Sequence, residues 1–71
     1  MELPPQTRLL RLPEVAAAVG LRKTSIYNNI RTGTFPQPVR LTPRARAWRS
    51  DEIAAWIAER TAARDARAGA P

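Results

Sequence analysis

The sequence predicts a mainly α domain of winged helix-turn-helix type, three helices plus a small β-hairpin that forms the wing. Three observations predict it. Two short segments with apolar residues at helical spacing meet at a tight turn, Gly20-Leu21. A proline-framed stretch, Phe35-Pro36-Gln37-Pro38, leads into two short alternating segments joined by Thr42-Pro43-Arg44. A last segment carries Ile53, Trp56 and Ile57 at i, i+3 and i+4.

Residues 1–7 read as a flexible N-terminal arm, because Pro4 and Pro5 lack N–H donors and restrict their neighbours. Arg8-Leu9-Leu10-Arg11-Leu12 is too short for a helix and suits an edge strand. Pro13 fits the first helical position, where its missing N–H would be unpaired anyway, and Glu14 suits the positive end of the helix dipole. Val15, Ala16 and Val19 make a short apolar stripe that Gly20 stops, so helix one is expected over residues 13–19. The second helix is expected over Arg22–Thr32, closed by Gly33, with Ile26 and Ile30 on the core side and Thr24, Tyr27, Asn28 and Arg31 on the other.

After the prolines, Val39-Arg40-Leu41 and Arg46-Ala47-Trp48-Arg49 read as the two strands of a hairpin with a basic tip. Ser50 is a favoured N-cap and Asp51 and Glu52 follow in the first turn, so the last helix is expected over residues 51–63. Arg64 to Pro71 is Ala/Arg-rich with little to pack, and is expected to fray as a basic tail. The folded unit is therefore placed at residues 8–63. Its expected core comprises Val15, Val19, Leu21, Ile26, Ile30, Phe35, Leu41, Trp48 and Trp56.

Composition limits the function. A chain of 71 residues, 44% hydrophobic and 6% aromatic, holds one small core. Lys and Arg total 12 against 6 Asp and Glu, a formal charge of +6, which points to a polyanionic partner. With no Cys and no His, zinc and iron–sulfur ligation, thiol nucleophiles and imidazole-dependent catalysis are excluded; no cofactor or metal is expected, nor an enzyme. The first residues lack a basic n-region and an apolar h-region, and no apolar run approaches the roughly 18 residues of a membrane span. A cytoplasmic, nucleoid-associated protein without a membrane partner is the expectation.

The spacing Ala16, Gly20, Ile26 is what a helix-turn-helix needs sterically: a small residue for close approach, a glycine in the turn and an aliphatic residue at the elbow. The same residues belong to a longer series of motifs. Arg-Leu-Leu-Arg-Leu-Pro-Glu-Val at 8–15, Gly20-Leu21, Thr24-Ser25-Ile26-Tyr27, Thr32-Gly33-Thr34-Phe35-Pro36, Pro38-Val39, Ala47-Trp48 and Ile53-Ala54-Ala55-Trp56-Ile57 resemble the AlpA family of prophage regulatory proteins. That family is related to phage excisionases and, more distantly, to the MerR-type DNA-binding domain. The resemblance runs from Arg8 through about Arg60 and implies a winged helix that binds double-stranded DNA, either to regulate transcription or to assist excisive recombination of a mobile element. Arg22 stands where family members often carry Ser before the recognition helix. A guanidinium cannot accept the orphan N–H bonds of that first turn, whereas a DNA phosphate can.

In the second helix, Asn28 suits adenine N6 and N7, and Arg31 suits guanine O6 and N7. Thr24 and Ser25 suit phosphate or a thymine methyl, and Tyr27 a phosphate or sugar. Arg22 and Lys23, with Arg40, Thr42, Arg44 and Arg46 of the wing, supply backbone contacts, with Arg49 as a further candidate. The plainer account is a solvated polar face, but no acidic residue lies between Glu14 and Asp51 to balance these cations. If Trp48 faces the core, strand parity puts Arg46 on the same face, so Arg44 is the stronger wing candidate. Trp48 and Trp56 read as core rather than as stacking platforms, and Asp51 and Glu52 as dipole-matched acids rather than an acid/base pair.

Arg60, Arg64 and Arg67 leave open extra phosphate contacts, a partner or self-association surface, or a disordered tail. Three functions follow in order. The first is a sequence-specific transcriptional regulator of AlpA type. The second is an excisionase that loads cooperatively and bends DNA for an integrase or another phage protein, and the third is a protein-interaction adaptor that does not bind DNA.

Overall fold

Arg11 and Arg22 both have extended backbone, and each is followed at once by a helix that its side chain does not cap. In the computed structural model, which describes residues 7–68, these helices are α1 (Leu12–Val19) and α2 (Lys23–Thr32). The expected arm, up to residue 6, and the last three residues of the expected tail lie outside the described residues. Two glycines end the helices in left-handed backbone, where a Cβ would crowd the following carbonyl. Gly20 (φ 72°) donates its N–H to Ala16 O at 2.9 Å, and Gly33 (φ 83°) donates to Ile30 O at 3.1 Å. Thr34 adds a bond from its N–H to Asn29 O at 2.8 Å, completing a Schellman closure of α2.

The rest of the chain builds one antiparallel sheet and a long helix. β1 (Leu9–Leu10), β2 (Val39–Thr42) and β3 (Ala45–Arg49) lie in the order β1-β3-β2, and α3 covers Ser50–Ala68. Leu10 pairs with Trp48 and Val39 with Ala47. This is the predicted architecture, a three-helix domain with a hairpin wing, and the edge strand expected before Pro13 is present.

The core lies where α1, α2 and α3 meet β3. Leu10, Val15, Ile26, Phe35, Trp48 and Ile53 are buried together, with Ala16, Val19, Leu21, Ile30 and Trp56 packed partly against them. Burying a side chain the size of Ile26 or Val15 contributes about 1.5–3 kcal/mol each, and with no disulfide to assist, such packing holds the domain.

Four expectations differ. Leu41 is 43% exposed rather than in the core. The ladder pairs Arg40 with Arg46 and Thr42 with Ala45, so Leu41 is the extra residue of a bulge and loses its alternation. Ile57, expected on one apolar stripe with Ile53 and Trp56, is 37% exposed, while Ile53 is buried and Trp56 packs against the core. Ser50 does not cap α3. Its Oγ accepts from the Arg8 N–H at 2.9 Å while its own N–H donates to Arg8 O at 2.8 Å, which fastens the start of β1 to the start of α3. Finally, α3 continues to Ala68 instead of closing at residue 63. Residues 64–68, expected to fray, extend it as exposed helix; Ala and Arg are among the best helix formers and no breaker intervenes before Gly69.

Candidate nucleic-acid interface

The start of α2 has the positive end of a helix dipole with nothing to neutralise it. Arg22 makes no side-chain cap bond, the first turn holds no acid, and the first backbone bond of the helix runs from Ile26 N–H to Arg22 O at 3.0 Å. The N–H groups before Ile26 have no partner within the helix, as at any helix start, and here no side chain caps them. Arg22, Lys23, Thr24, Ser25, Asn28 and Arg31 are exposed along this helix, while Tyr27 is half-buried. Arg31 Nη2 donates to Asn28 Oδ1 at 2.7 Å, so two residues expected to read bases separately are joined.

The wing concentrates charge against its own stability. Arg40 faces Arg46 directly across the β2–β3 ladder, and like charges so placed are destabilising. Among the described residues the ion pairs are Arg49–Asp51 and Arg64–Asp65, so Arg40, Arg44 and Arg46 have no carboxylate partner there. Thr42 acts locally, its Oγ1 accepting the Arg44 N–H at 3.2 Å and so shaping the tip.

Two shallow clefts separate α2 from the wing. One, of about 460 Å³, has Arg11, Tyr27, Arg44 and Arg46 in its walls together with Pro13, Pro43 and Trp48. The other, of about 290 Å³, is lined by Tyr27, Arg40, Arg46 and Gln37. Tyr27 and Arg46 belong to both. Thus the fold brings Tyr27, Arg40, Arg44 and Arg46 together, whereas Arg22, Lys23, Thr24, Ser25, Asn28, Arg31 and Thr42 line neither cleft. Strand parity holds for Arg46, which shares a cleft with Trp48 yet is exposed, because the hairpin outruns the core. Gln37 is engaged in closing α2, its Nε2 donating to Ile30 O at 3.3 Å.

Two other assignments are settled by hydrogen bonds. Arg49 is held by Asp51 in a bidentate pair, Nε to Oδ1 at 3.0 Å and Nη2 to Oδ2 at 2.6 Å, so it is not a free wing cation. The guanidinium's hydrogen bonds hold the Asp51 carboxyl below its ordinary value, and the carboxylate in turn raises that of Arg49. The tryptophans are structural. Trp48 Nε1 donates to Pro36 O at 3.0 Å, and Trp56 Nε1 to Thr34 O at 2.7 Å, with Phe35 edge-on to Trp56 at 5.0 Å.

Arg11 is the cleft residue that sequence reasoning missed. Its only local signal is a cation just before the Leu12-Pro13 helix start, and what places it opposite the wing is the pairing of β1 with β3. A third groove, about 570 Å³, lies elsewhere, between α3 and residues 33–36, with Glu52, Glu59 and Arg60 on its walls. Its mixed charge makes it a poor polyanion site.

Residues 8–61 match the family described as Prophage CP4-57 regulatory protein (AlpA). The chain belongs to the AlpA family. It is also 46% identical over 59 residues to "Uncharacterized protein ORF88" of Enterobacteria phage P4, an alignment covering 83% of this chain and 67% of that protein. AlpA membership makes this a regulatory protein of a prophage element, a DNA-binding winged helix-turn-helix and not an enzyme. Among the described residues of this AlpA chain, no cluster of His, Cys, Asp or Glu could hold a metal ion, and no helix is long and apolar enough to cross a membrane.

Proposed function

We propose that this protein binds double-stranded DNA site-specifically as a transcriptional regulator, with α2 in the major groove and the wing along the adjoining backbone. Asn28 and Arg31 read base edges; Thr24, Ser25 and Tyr27 fix the helix against phosphate, sugar or a thymine methyl. Arg22 and Lys23 meet the phosphate that accepts the free N–H groups of the first turn. Arg40, Thr42, Arg44 and Arg46 carry the wing's backbone contacts. The observation that carries this reading is the uncompensated Arg40–Arg46 pair across the hairpin, a cost to folding that a polyanion offsets.

A single module of this size buries only about 600–1,000 Å² on DNA, so useful selectivity calls for more than one copy or a partner. Self-association on DNA, an integrase or another phage protein would fill that need, and the place of action would be the nucleoid. The test is an anisotropy titration against selected and scrambled duplexes at two salt concentrations, with stoichiometry and bending read from the same complexes. Selective binding of one or two copies without much bending supports the regulator. Stepwise cooperative loading with a bend would make it an excisionase, and no selectivity at either salt would leave an adaptor.

A further inference from the structure

We infer that the cleft between the start of α1 and the wing tip is a binding site for one phosphodiester of the DNA backbone, with Arg11 as its far wall. This deepens the DNA-binding reading and rests on it. α1 becomes a third DNA-contacting element, and the strand lying against the wing is held from both sides.

Three guanidinium-bearing residues converge there from distant parts of the chain, Arg11 from the N-terminal boundary of α1 and Arg44 and Arg46 from the hairpin, with the half-buried Tyr27 of α2 between them. None of the three has a carboxylate partner among the described residues. Glu14 is the nearest acid in sequence, but its Oε1 accepts the Arg11 N–H at 3.3 Å, and the residue does not line the cleft. Tyr27, which also lines the cleft, carries a hydroxyl that can donate to an oxyanion. The remaining exposed walls are Leu12, Pro13 and Pro43, apolar surfaces that suit a deoxyribose rather than a second charge, and the fully buried Trp48 forms the floor beneath them.

The cleft holds about 460 Å³ and is open, so it admits a unit of a continuous strand rather than enclosing a free ligand. A site of cations with neither a carboxylate nor a metal ligand set selects an anion of high charge density. Arginine forks match phosphate oxygens bidentately, which a lysine cannot do.

The experiment pairs Arg11→Ala with duplexes in which single phosphates of the selected site are replaced, one at a time, by neutral methylphosphonates. Arg11→Ala should weaken binding to the ordinary duplex about tenfold, and at one position flanking the α2 site neutralisation should weaken the wild-type protein by at least as much, since Arg44 and Arg46 face the same phosphate. On that methylphosphonate duplex Arg11→Ala should bind no more weakly than the wild type does. The slope of log K against log salt should fall by about 0.9 in Arg11→Ala. Arg11→Lys, with the charge kept and the fork lost, should recover the slope but only part of the affinity, and thermal melts confirm that the variants are folded. Full wild-type affinity and slope in Arg11→Ala, or fully additive losses at every phosphate, would overturn the site while leaving DNA binding intact. Failure of the wild-type protein to bind any duplex selectively would remove the site together with the reading on which it rests.

Discussion

Arg31 Nη2 lies 2.7 Å from Asn28 Oδ1, one turn back along the outer face of α2. The bond fixes both side chains before any ligand arrives and uses the amide oxygen of Asn28. Pairing with adenine needs the oxygen as acceptor and the NH₂ as donor, so base reading by Asn28 requires Arg31 to swing away or to share that oxygen.

Asn28→Ala should therefore lose about 1–3 kcal/mol on the selected site and leave scrambled DNA nearly unaffected. Arg31→Ala and the double variant complete a cycle, and the two losses should not add, because each change frees the other residue. Titrations of the four proteins against one duplex measure the coupling, and strict additivity would show that the bond is irrelevant once DNA is bound.

Arg44→Ala should weaken every duplex alike and lower the salt slope by about one. The same change at Arg49 should do much less, since its guanidinium is occupied by Asp51. Salt titrations of both variants on scrambled DNA make the comparison; equal slopes would take the wing tip off the backbone-contacting surface.

Trp48→Phe should cost at least about 1–3 kcal/mol in urea unfolding, because the Pro36 carbonyl loses its indole donor and the core loses volume. Below its melting range the variant should bind DNA with an unchanged salt slope. A stable variant with altered DNA affinity would instead make the indole part of the interface.

Gly33 sits at φ 83°, and a Cβ there would meet nothing within 4 Å. The cost of Gly33→Ala is thus conformational alone, about 1–2 kcal/mol, and Gly33→Asn should cost less because Asn tolerates left-handed backbone. Equal melting temperatures for Ala and Gly would contradict the observed closure of α2.

The Asp51 carboxyl titrates below its usual value of about 3.9 because Arg49 hydrogen-bonds its charged form. A depressed acid stabilises the fold at pH values above its unfolded pKa and loses that contribution as pH falls through the folded one. The pair should therefore hold at neutral pH and fade only below about pH 3.9. Melts of the wild type and Asp51→Asn across the acid range should converge there and stay apart above it.

Much of this was legible because it is local. Pro13, Gly20 and Gly33 mark helix boundaries through backbone sterics, and the spacing of Ile53 and Trp56 marks the buried side of α3. What was missed depends on register and on partners distant in sequence. The bulge that exposes Leu41 arises from how two strands slip past each other, which alternation alone cannot show. Ser50 has the chemistry of a cap, but its hydroxyl is engaged by Arg8, 42 residues away. Arg49 reads in sequence as one more wing cation, but Asp51, only two residues on, turns its carboxylate back onto it. Arg11 belongs to the basic surface through the pairing of β1 with β3.

The edge strand also bears on how the chain acquires its shape. Leu9 and Leu10 can pair only with Arg49 and Trp48, and Arg8 only with Ser50, so the first described strand is the last able to dock. During synthesis α1 and α2 can form helical turns early, but the sheet that orders the interior must wait until the beginning of α3 has emerged. That long closure is entropically costly and slow relative to local helix formation.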